Sequence, residues 1–541
     1  MYACKNCSAN LKFDIESQML LCPACGTKEA IVEPGNHFEA VTQDYMEVKT
    51  HFCSACAGEL IAEETEAAVF CPYCGNSTIV SEHFKKVNTP KYIVPFGITK
   101  EECKNKFAKM MKGAIFAPKE MRNRKAIDSF RGIYMPYWFY SFDINGKASL
   151  TETKVITEDL KEYEVKSEIQ FPYHGYAKGF YQDASSSFKD EISDRIKPFD
   201  TSQKKAFSPA YMSGFYADSP DTDSSAYAEP ITKYVTGICH GELINNESLN
   251  PYLRGNIDLG VSSAIKRNPE DVVMLPVWFL SYKKGNRIAY ATVNGQNGTA
   301  FSDVPVDYRK FFLGTLILFV LLFVLLNLFC VIRPTVLILI AAFLAVLVSL
   351  IFRIQIEKVY RHEISFDDIG VISAKELKEG KKKDVRIKTD EERKEEAAYE
   401  ALHEYQQNAF ARKLTTLITI VLGIALVVRA VLILQVADYD SLLISLGLIP
   451  LLFGGGKFLS DSVRFTKHLS GVFGHIVLYI AVLVAVVVYA VYPVEDMFYY
   501  FSAFISLAAS VAGLFDLIRQ YNILATRPLP QFKRTGGDDN A

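Results

Sequence analysis

Eight of the eleven cysteines in this 541-residue chain lie within its first 74 positions, arranged as four Cys-x-x-Cys pairs. Cys4, Cys7, Cys22 and Cys25 form one quartet, and Cys53, Cys56, Cys71 and Cys74 repeat it 49 residues later at every position. A Cys-x-x-Cys turn aims two thiolates at one point, and a short hairpin brings a second pair round to close a tetrahedral site. The second pair of each quartet reads Cys-Pro-x-Cys-Gly, where Pro23 and Pro72 fix the turn and Gly26 and Gly75 permit positive φ. The spacing predicts two zinc ribbons, each holding one structural zinc ion. With four protein ligands, neither metal has a vacancy for water or substrate. Disulfide staples are the competing reading, and they are disfavoured because no secretory leader precedes Cys4.

Hydropathy divides the rest of the chain. The first 310 residues are polar, whereas six long apolar runs follow: Phe311 to Ile332, Thr335 to Phe352, Leu414 to Val436, Ser441 to Phe458, Val472 to Tyr492, and Met497 to Ile518. Each has about 18 to 23 residues, enough to cross a hydrocarbon core of about 30 Å. Basic residues flank one side of these runs: Arg309, Lys310, Lys375 to Lys388, Arg412, Lys413, Lys457, Arg464, Lys467 and Arg519. The opposite turns carry Asp438, Asp440, Glu495 and Asp496, with Arg333 as the exception. The positive-inside rule then places both termini in the cytoplasm of a multi-pass protein of the bacterial cell membrane, with the thiolates on the reducing side.

The fold class expected is therefore multidomain: two tandem β zinc ribbons, an α+β soluble domain with a duplicated half, and an all-α polytopic membrane region of six helices. Ribbons occupy 1–30 and 51–84, joined by a linker at 31–50; the soluble domain spans 88–308. A transmembrane hairpin at 311–352, a charged insert at 353–413 with a helix at 390–412, four further membrane helices at 414–518 and a tail at 519–541 complete the chain. Duplication within the soluble domain rests on MPYWFYSF (Met135 to Phe142) and LPVWFLSY (Leu275 to Tyr282), which place the only two tryptophans in one slot. Core anchoring explains these tryptophans more simply than ligand stacking. In the insert, Thr389 and Glu392 form a capping box, and Lys375 to Lys388 is either an anionic-lipid contact or a solvated linker.

Charge argues against nucleic acid as a partner. Residues 1–84 contain four Lys, no Arg and twelve Asp or Glu. Each zinc tetrathiolate adds about −2. Phosphate backbones are bound through Lys and Arg, which acidic residues outnumber here by twelve to four. A nucleotide P-loop is absent too, since Gly454-Gly455-Gly456-Lys457 is followed by Phe458 rather than Ser or Thr. His362-Glu363 and His403-Glu404 lack the second His of a metalloprotease helix. Cys103, Cys239 and Cys330 are scattered, and no nucleophile, acid–base pair or cofactor loop stands out. Asn327, Arg429, His475 and Asp516 are the polar groups within the apolar runs; such groups often mark transport paths, but Arg429 can snorkel toward Asp438, and His475 and Asp516 sit near the cytoplasmic ends of their spans.

Ile196 to Asp218 (IKPFDTSQKKAFSPAYMSGFYAD) and Met274 to Phe301 (MLPVWFLSYKKGNRIAYATVNGQNGTAF), following CPxCG knuckles and preceding membrane spans, resemble the bacterial TFIIB-type zinc-ribbon membrane proteins. The resemblance covers about residues 1–355. Members are often mislabelled as relatives of a primosomal helicase. The resemblance implies a membrane-anchored protein whose partners include phage-shock-type, flotillin-like or TPM-domain proteins. The Thr526 to Gly537 tail is similar to the tails of TPM-domain membrane proteins. From these features the chain is expected to be a membrane-anchored adaptor or scaffold that offers cytoplasmic domains to a cytoplasmic or membrane protein partner and contacts membrane lipids. A transporter with regulatory ribbons is the second reading, and a nucleic-acid-binding membrane protein the third.

Overall fold

The computed structural model describes residues 2–31, 45–56, 58–61, 71–76, 79–122, 127–158, 161–245, 256–259, 265–268, 271–329, 333–363, 368–372, 473–491 and 493–529. The expected spans Leu414 to Val436 and Ser441 to Phe458, the helix at 390–412, and Arg429 and Cys330 lie outside the described residues.

The amino-terminal quartet sits on its own antiparallel sheet of β1 (Lys12–Asp14), β2 (Met19–Leu21) and β3 (Lys28–Glu29). The second quartet does not form an equivalent free-standing ribbon. Its strands β4 (Tyr45–Cys53), β5 (Glu59–Ile61) and β6 (Ile79–Asn88) belong to a 14-stranded mixed sheet. β4 begins at Tyr45, inside the stretch read as a linker, and pairs with β6 from Tyr45↔Asn88 onward. The long β4–β6 ladder gives this ribbon a backbone connection that sequence spacing alone does not display.

The sheet then takes in β7 (Tyr92–Ile93), and helix α1 (Lys100–Gly113) follows. Next come the long hairpin β8 (Arg131–Glu158) and β9 (Lys161–Asp183), helix α2 (Asp190–Arg195), and the short strands β10 (Lys205–Ala206) and β11 (Tyr216–Ala217). Helix α3 (Ala228–Ile244) precedes β12 (Asn256–Leu259), β13 (Ile265–Arg267), β14 (Asp271–Lys284), β15 (Arg287–Asn294) and β16 (Ala300–Ser302). β14 lies antiparallel to β8, and Met135 pairs with Leu275. These two residues are also equivalent in the MPYWFYSF and LPVWFLSY segments, so the repeated segments face each other across a local two-fold axis.

The symmetry extends outward. β11 runs parallel to β8, as β7 runs parallel to β14. Trp138 Nε1 donates to the Thr222 carbonyl at 3.0 Å, and Trp278 Nε1 donates to the Ile98 carbonyl at 3.1 Å. Each acceptor immediately precedes a helical cap: Thr99 makes a capping box with Glu102 on α1, and Asp223 accepts from Ser225 N in the turn leading to α3. Each half therefore places its tryptophan under the other half's helix entry. A hydrogen-bonded, largely buried Trp carries a large apolar area without stranding its N–H. Gly132, opposite Trp278, is required because the ring of Phe215 occupies the space a Cβ would need.

Period-two alternation gives the sheet two apolar faces. Tyr134, Met274 and Trp278 pack on one side with Leu11, Phe13 and Leu20 of the first ribbon. Ile133, Met135, Tyr137, Val273 and Leu275 pack on the other with Leu60 and Tyr73 of the second. The two cysteine centres thus lie against opposite faces of one sheet.

The carboxy-terminal part corrects the expectation of an all-α polytopic region of six helices. Among the described residues, two helices are long and apolar enough to cross a membrane, α5 (Pro334–Glu363) and α7 (Asp496–Leu524). They accompany the apolar helices α4 (Tyr308–Phe329) and α6 (Phe473–Val491). Hydropathy missed that α5 and α7 run on past their apolar stretches, through Arg353 to Glu363 and Arg519 to Leu524, and use those polar turns to grip the sheet. After α7, β17 (Arg527–Pro528) adds to β15, pairing Arg527 with Ile288. Arg287 bonds Glu363 at 2.7 Å and the carbonyls of Ile523 and Thr526 at 2.9 and 2.8 Å. Asn522 bonds both N and O of Val306 just before α4. The start of α4 and the ends of α5 and α7 are consequently tied to one end of the sheet.

Candidate metal centres

In the first centre the knuckle Cys4–Cys7 is closed by Ser8 N donating to the Cys4 carbonyl at 2.8 Å, with Ser8 itself at φ 59°. The second knuckle closes through Gly26 N to Cys22 O at 2.9 Å, with Gly26 at φ 74°. In the other centre Gly75 N reaches Cys71 O at 2.9 Å, with Gly75 at φ 71°. Left-handed backbone at these positions turns the chain so that amides point toward sulfur. Asn6 N and Gly58 N lie 3.4 Å from the sulfurs of Cys4 and Cys56.

All eight sequence-identified cysteines are brought together in these two groups, with the sulfurs of each quartet within 4.8 Å of one another. Sγ separations are 3.6 Å for Cys4–Cys25, 3.4 Å for Cys7–Cys22 and 3.5 Å for Cys7–Cys25. In the other quartet they are 3.4 Å for Cys53–Cys74 and 3.8 Å for Cys56–Cys71. A tetrahedral ion with bonds of about 2.3 Å to sulfur requires edges of about 3.8 Å, so both quartets have the dimensions of a metal tetrathiolate. Either group could hold a metal ion.

Electrostatics points the same way. Within the second quartet, hydrogen bonds from Cys56, Cys71 and Cys74 lower the pKa of Cys53, while the same sulfur contacts raise Cys71 far above an ordinary thiol. Protons are thus shared unequally, because four adjacent thiolates cannot all ionise without a cation at their centre. In the first quartet the hydroxyl and amide of Thr27 bring Cys25 down to about 6.

The surroundings of the two centres differ. Cys4 and Cys22 are buried, but Cys7 and Cys25 are exposed; all four cysteines of the second centre are buried. The first ribbon is seated by Phe13 N to Ser213 O at 3.0 Å, Ser213 Oγ to Leu11 O at 2.6 Å and Gln18 to Phe96 O at 2.8 Å. Phe13 meets the ring of Tyr211 edge-on at 5.5 Å. The second ribbon is locked by Tyr73, the residue between Cys71 and Cys74 that follows proline. Its hydroxyl donates to Asp218 Oδ2 at 2.8 Å, and Ser185 Oγ donates to the same oxygen at 2.5 Å. Burial, reinforced by Asp221, raises Asp218 to about 7.

Tyr73, Asp218 and Ser185 escape a reading by motif. Their one sequence signal is that Asp218 ends the Gly-Phe-Tyr-Ala-Asp stretch that carries the family resemblance. A second buried polar group was equally hidden: Asp183, with neither carboxyl oxygen hydrogen-bonded, lies near Asp190 and Asp368. Burial first and these neighbours second raise Asp183 well above the usual carboxylate range. Asp190 accepts from Tyr227 and from Ile369 N, both at 2.6 Å, fastening the segment beyond α5 to the sheet domain.

Other polar candidates have structural partners. Asp516 accepts from Gly474 N at 2.6 Å and so caps the start of α6. His475 is buried 3.3 Å from the Ser349 hydroxyl. Cys103 is buried beneath α1, where burial raises its thiol well above the usual range, and Cys239 is buried on α3.

Comparison with known proteins finds a relative whose description gives no function. The chain is 27% identical over 324 residues to a Bacillus subtilis (strain 168) protein described as "Uncharacterized protein YdjG", a match covering 57% of this chain and 91% of the relative. No family model matches the chain, and no solved structure matches it.

Proposed function

We propose that this chain is a membrane-anchored zinc protein of the TFIIB-type ribbon class that acts as an adaptor. The observation that carries the reading is the asymmetry of its two centres on one rigid sheet. The second centre is enclosed in the core and fixes architecture. The first stands outward, with Cys7 and Cys25 and the turns around them open to a partner. α5 and α7 hold this arrangement at a bilayer, through ends clamped by Arg287 and β17. The loop-charge pattern supports a cytoplasmic position for the sheet domain in a bacterial cell, and four thiolates in that reducing compartment suit zinc. The amino-terminal region as a whole, with four Lys against twelve Asp or Glu in residues 1–84, suits a basic or neutral protein surface and repels phosphate backbones. Partners of phage-shock, flotillin-like or TPM-domain type are those the family resemblance implies.

Crosslinking in cells followed by capture of the full chain tests this reading. Cys7→Ser combined with Cys25→Ser should abolish recovery of the partner while membrane insertion and the proteolytic pattern of the sheet domain stay unchanged. Recovery at the original level would contradict the first ribbon as the contact. Zinc-dependent solute uptake by the pure protein in vesicles would support transport instead.

A further inference from the structure

The turn after α1 carries the sequence Ala114-Ile115-Phe116-Ala117-Pro118-Lys119. Ile115 is 69% exposed. The turn is held against α4, not against the sheet alone. Phe116 packs edge-on to Phe311 at 5.3 Å, and a Cβ on Gly314 would lie 3.0 Å from its ring. Asp307 N donates to the Phe116 carbonyl at 2.8 Å, and Lys310 Nζ donates to the Ala117 carbonyl. Gly314 lies six residues into α4, about 9 Å along its axis. Lys310 is the last charged residue of that helix, and beyond it Leu316, Ile317, Leu318 and Phe319 are all exposed. The Ile115–Phe116 tip therefore stands level with the first turn of α4 that lies past its charges.

The rim around the tip is basic. Lys112 ends α1, Lys119 follows the tip, Arg122 binds the Met111 carbonyl at the end of α1, and Arg309 and Lys310 open α4. Glu120 and Asp307 are the acidic neighbours, and Asp307 is occupied in accepting from Arg309 N at 2.9 Å. An apolar wedge encircled by cations fits one partner chemistry: lipid tails below a layer of anionic headgroups.

We propose that the Ile115–Phe116 turn is an interfacial insertion element, which enters an anionic lipid surface beside α4 and fixes the tilt of the sheet domain on the membrane. This rests on the reading of the chain as membrane-anchored. It adds a second, non-spanning contact that sets how the ribbons face a partner.

Tryptophan quenching by brominated phosphatidylcholine in proteoliposomes of the full chain tests it. The native fluorophores, Trp138 and Trp278, are bonded within the sheet domain and give a low baseline. Ile115→Trp places a reporter at the tip, and Phe343→Trp places one on the exposed face of α5, where Phe343 is 60% exposed. The proposal expects both added signals to be roughly halved by bromines matched to their depth, shallow for Ile115→Trp, as for an apolar face about 5 to 10 Å into the interface. Phosphatidylglycerol should deepen the quenching of Ile115→Trp, and Lys112→Glu with Lys119→Glu should remove that gain. Quenching of Phe343→Trp without Ile115→Trp would overturn the insertion element and leave the anchor standing. Quenching of neither would overturn the anchor, and the element with it. Insensitivity to phosphatidylglycerol would overturn its anionic selectivity.

Discussion

The two cysteine centres share a spacing and differ in what surrounds them. One is a small three-stranded ribbon set on the sheet through Ser213, Gln18 and Phe13, with half its sulfurs exposed. The other is built into a 14-stranded sheet, with all four sulfurs buried and a buried carboxyl at its back. Identical ligand sets can therefore have different consequences: losing the second centre removes part of the main core, whereas losing the first uncovers a seat.

Cysteine replacement should separate them most sharply. Cys74→Ser leaves a buried centre with three sulfurs inside the cluster that includes Ile133, Met135 and Phe279. Structural zinc sites contribute on the order of 10 kcal/mol to small ribbons, more than the net stability of most domains, so the sheet domain should fail to accumulate. Cys25→Ser should instead yield soluble-domain structure, judged by near-ultraviolet circular dichroism, with only one bound metal. Equal damage from both would erase the distinction.

Acidity probes the carboxyl behind the second centre. Because Asp218 is raised to about 7, above its unfolded value, the folded state holds its proton more tightly than the unfolded chain does. Its contribution is fully present below pH 4, declines as pH rises and is lost through pH 7. The span corresponds to roughly 4 kcal/mol. Asp218→Asn should flatten this slope in denaturant titrations between pH 5 and pH 8 without changing metal content. A slope that survives would assign the dependence elsewhere.

Smaller changes grade the two seats. Tyr73→Phe removes one of the donors to the buried Asp218 carboxyl and should cost about 1 to 3 kcal/mol. Ser213→Ala removes one neutral bond to Leu11 and should cost about 1 kcal/mol. Denaturant midpoints in detergent check the order, and a reversal would mean that the first ribbon is the more firmly held.

Much of the metal chemistry was legible in the sequence because ligand spacing is local: Cys-x-x-Cys and Cys-Pro-x-Cys-Gly constrain a turn whatever surrounds it. The repeated tryptophan segments were legible for the same reason. Their pairing across Met135 and Leu275 was not, since strand partners 140 residues apart leave no mark on either segment. Merging of the second ribbon into the large sheet was hidden likewise, because β5 joins β11 through one pair, Ile61 with Ala217. Hydropathy located apolar runs but not the polar helical turns of α5 and α7, whose role depends on Arg287, Val306 and Asp190 far away in sequence. Asp218 and Asp183 look like ordinary surface carboxylates until the fold closes over them.

Stepwise chelation followed by native mass spectrometry and thiol alkylation tests the central contrast most directly. Purified full-length protein should begin with two zinc ions, pass through a one-zinc state in which Cys7 and Cys25 are alkylated, and keep Cys53, Cys56, Cys71 and Cys74 protected until the sheet unfolds. Loss of both ions together, or alkylation of the second quartet first, would contradict an exposed adaptor ribbon and an enclosed structural one.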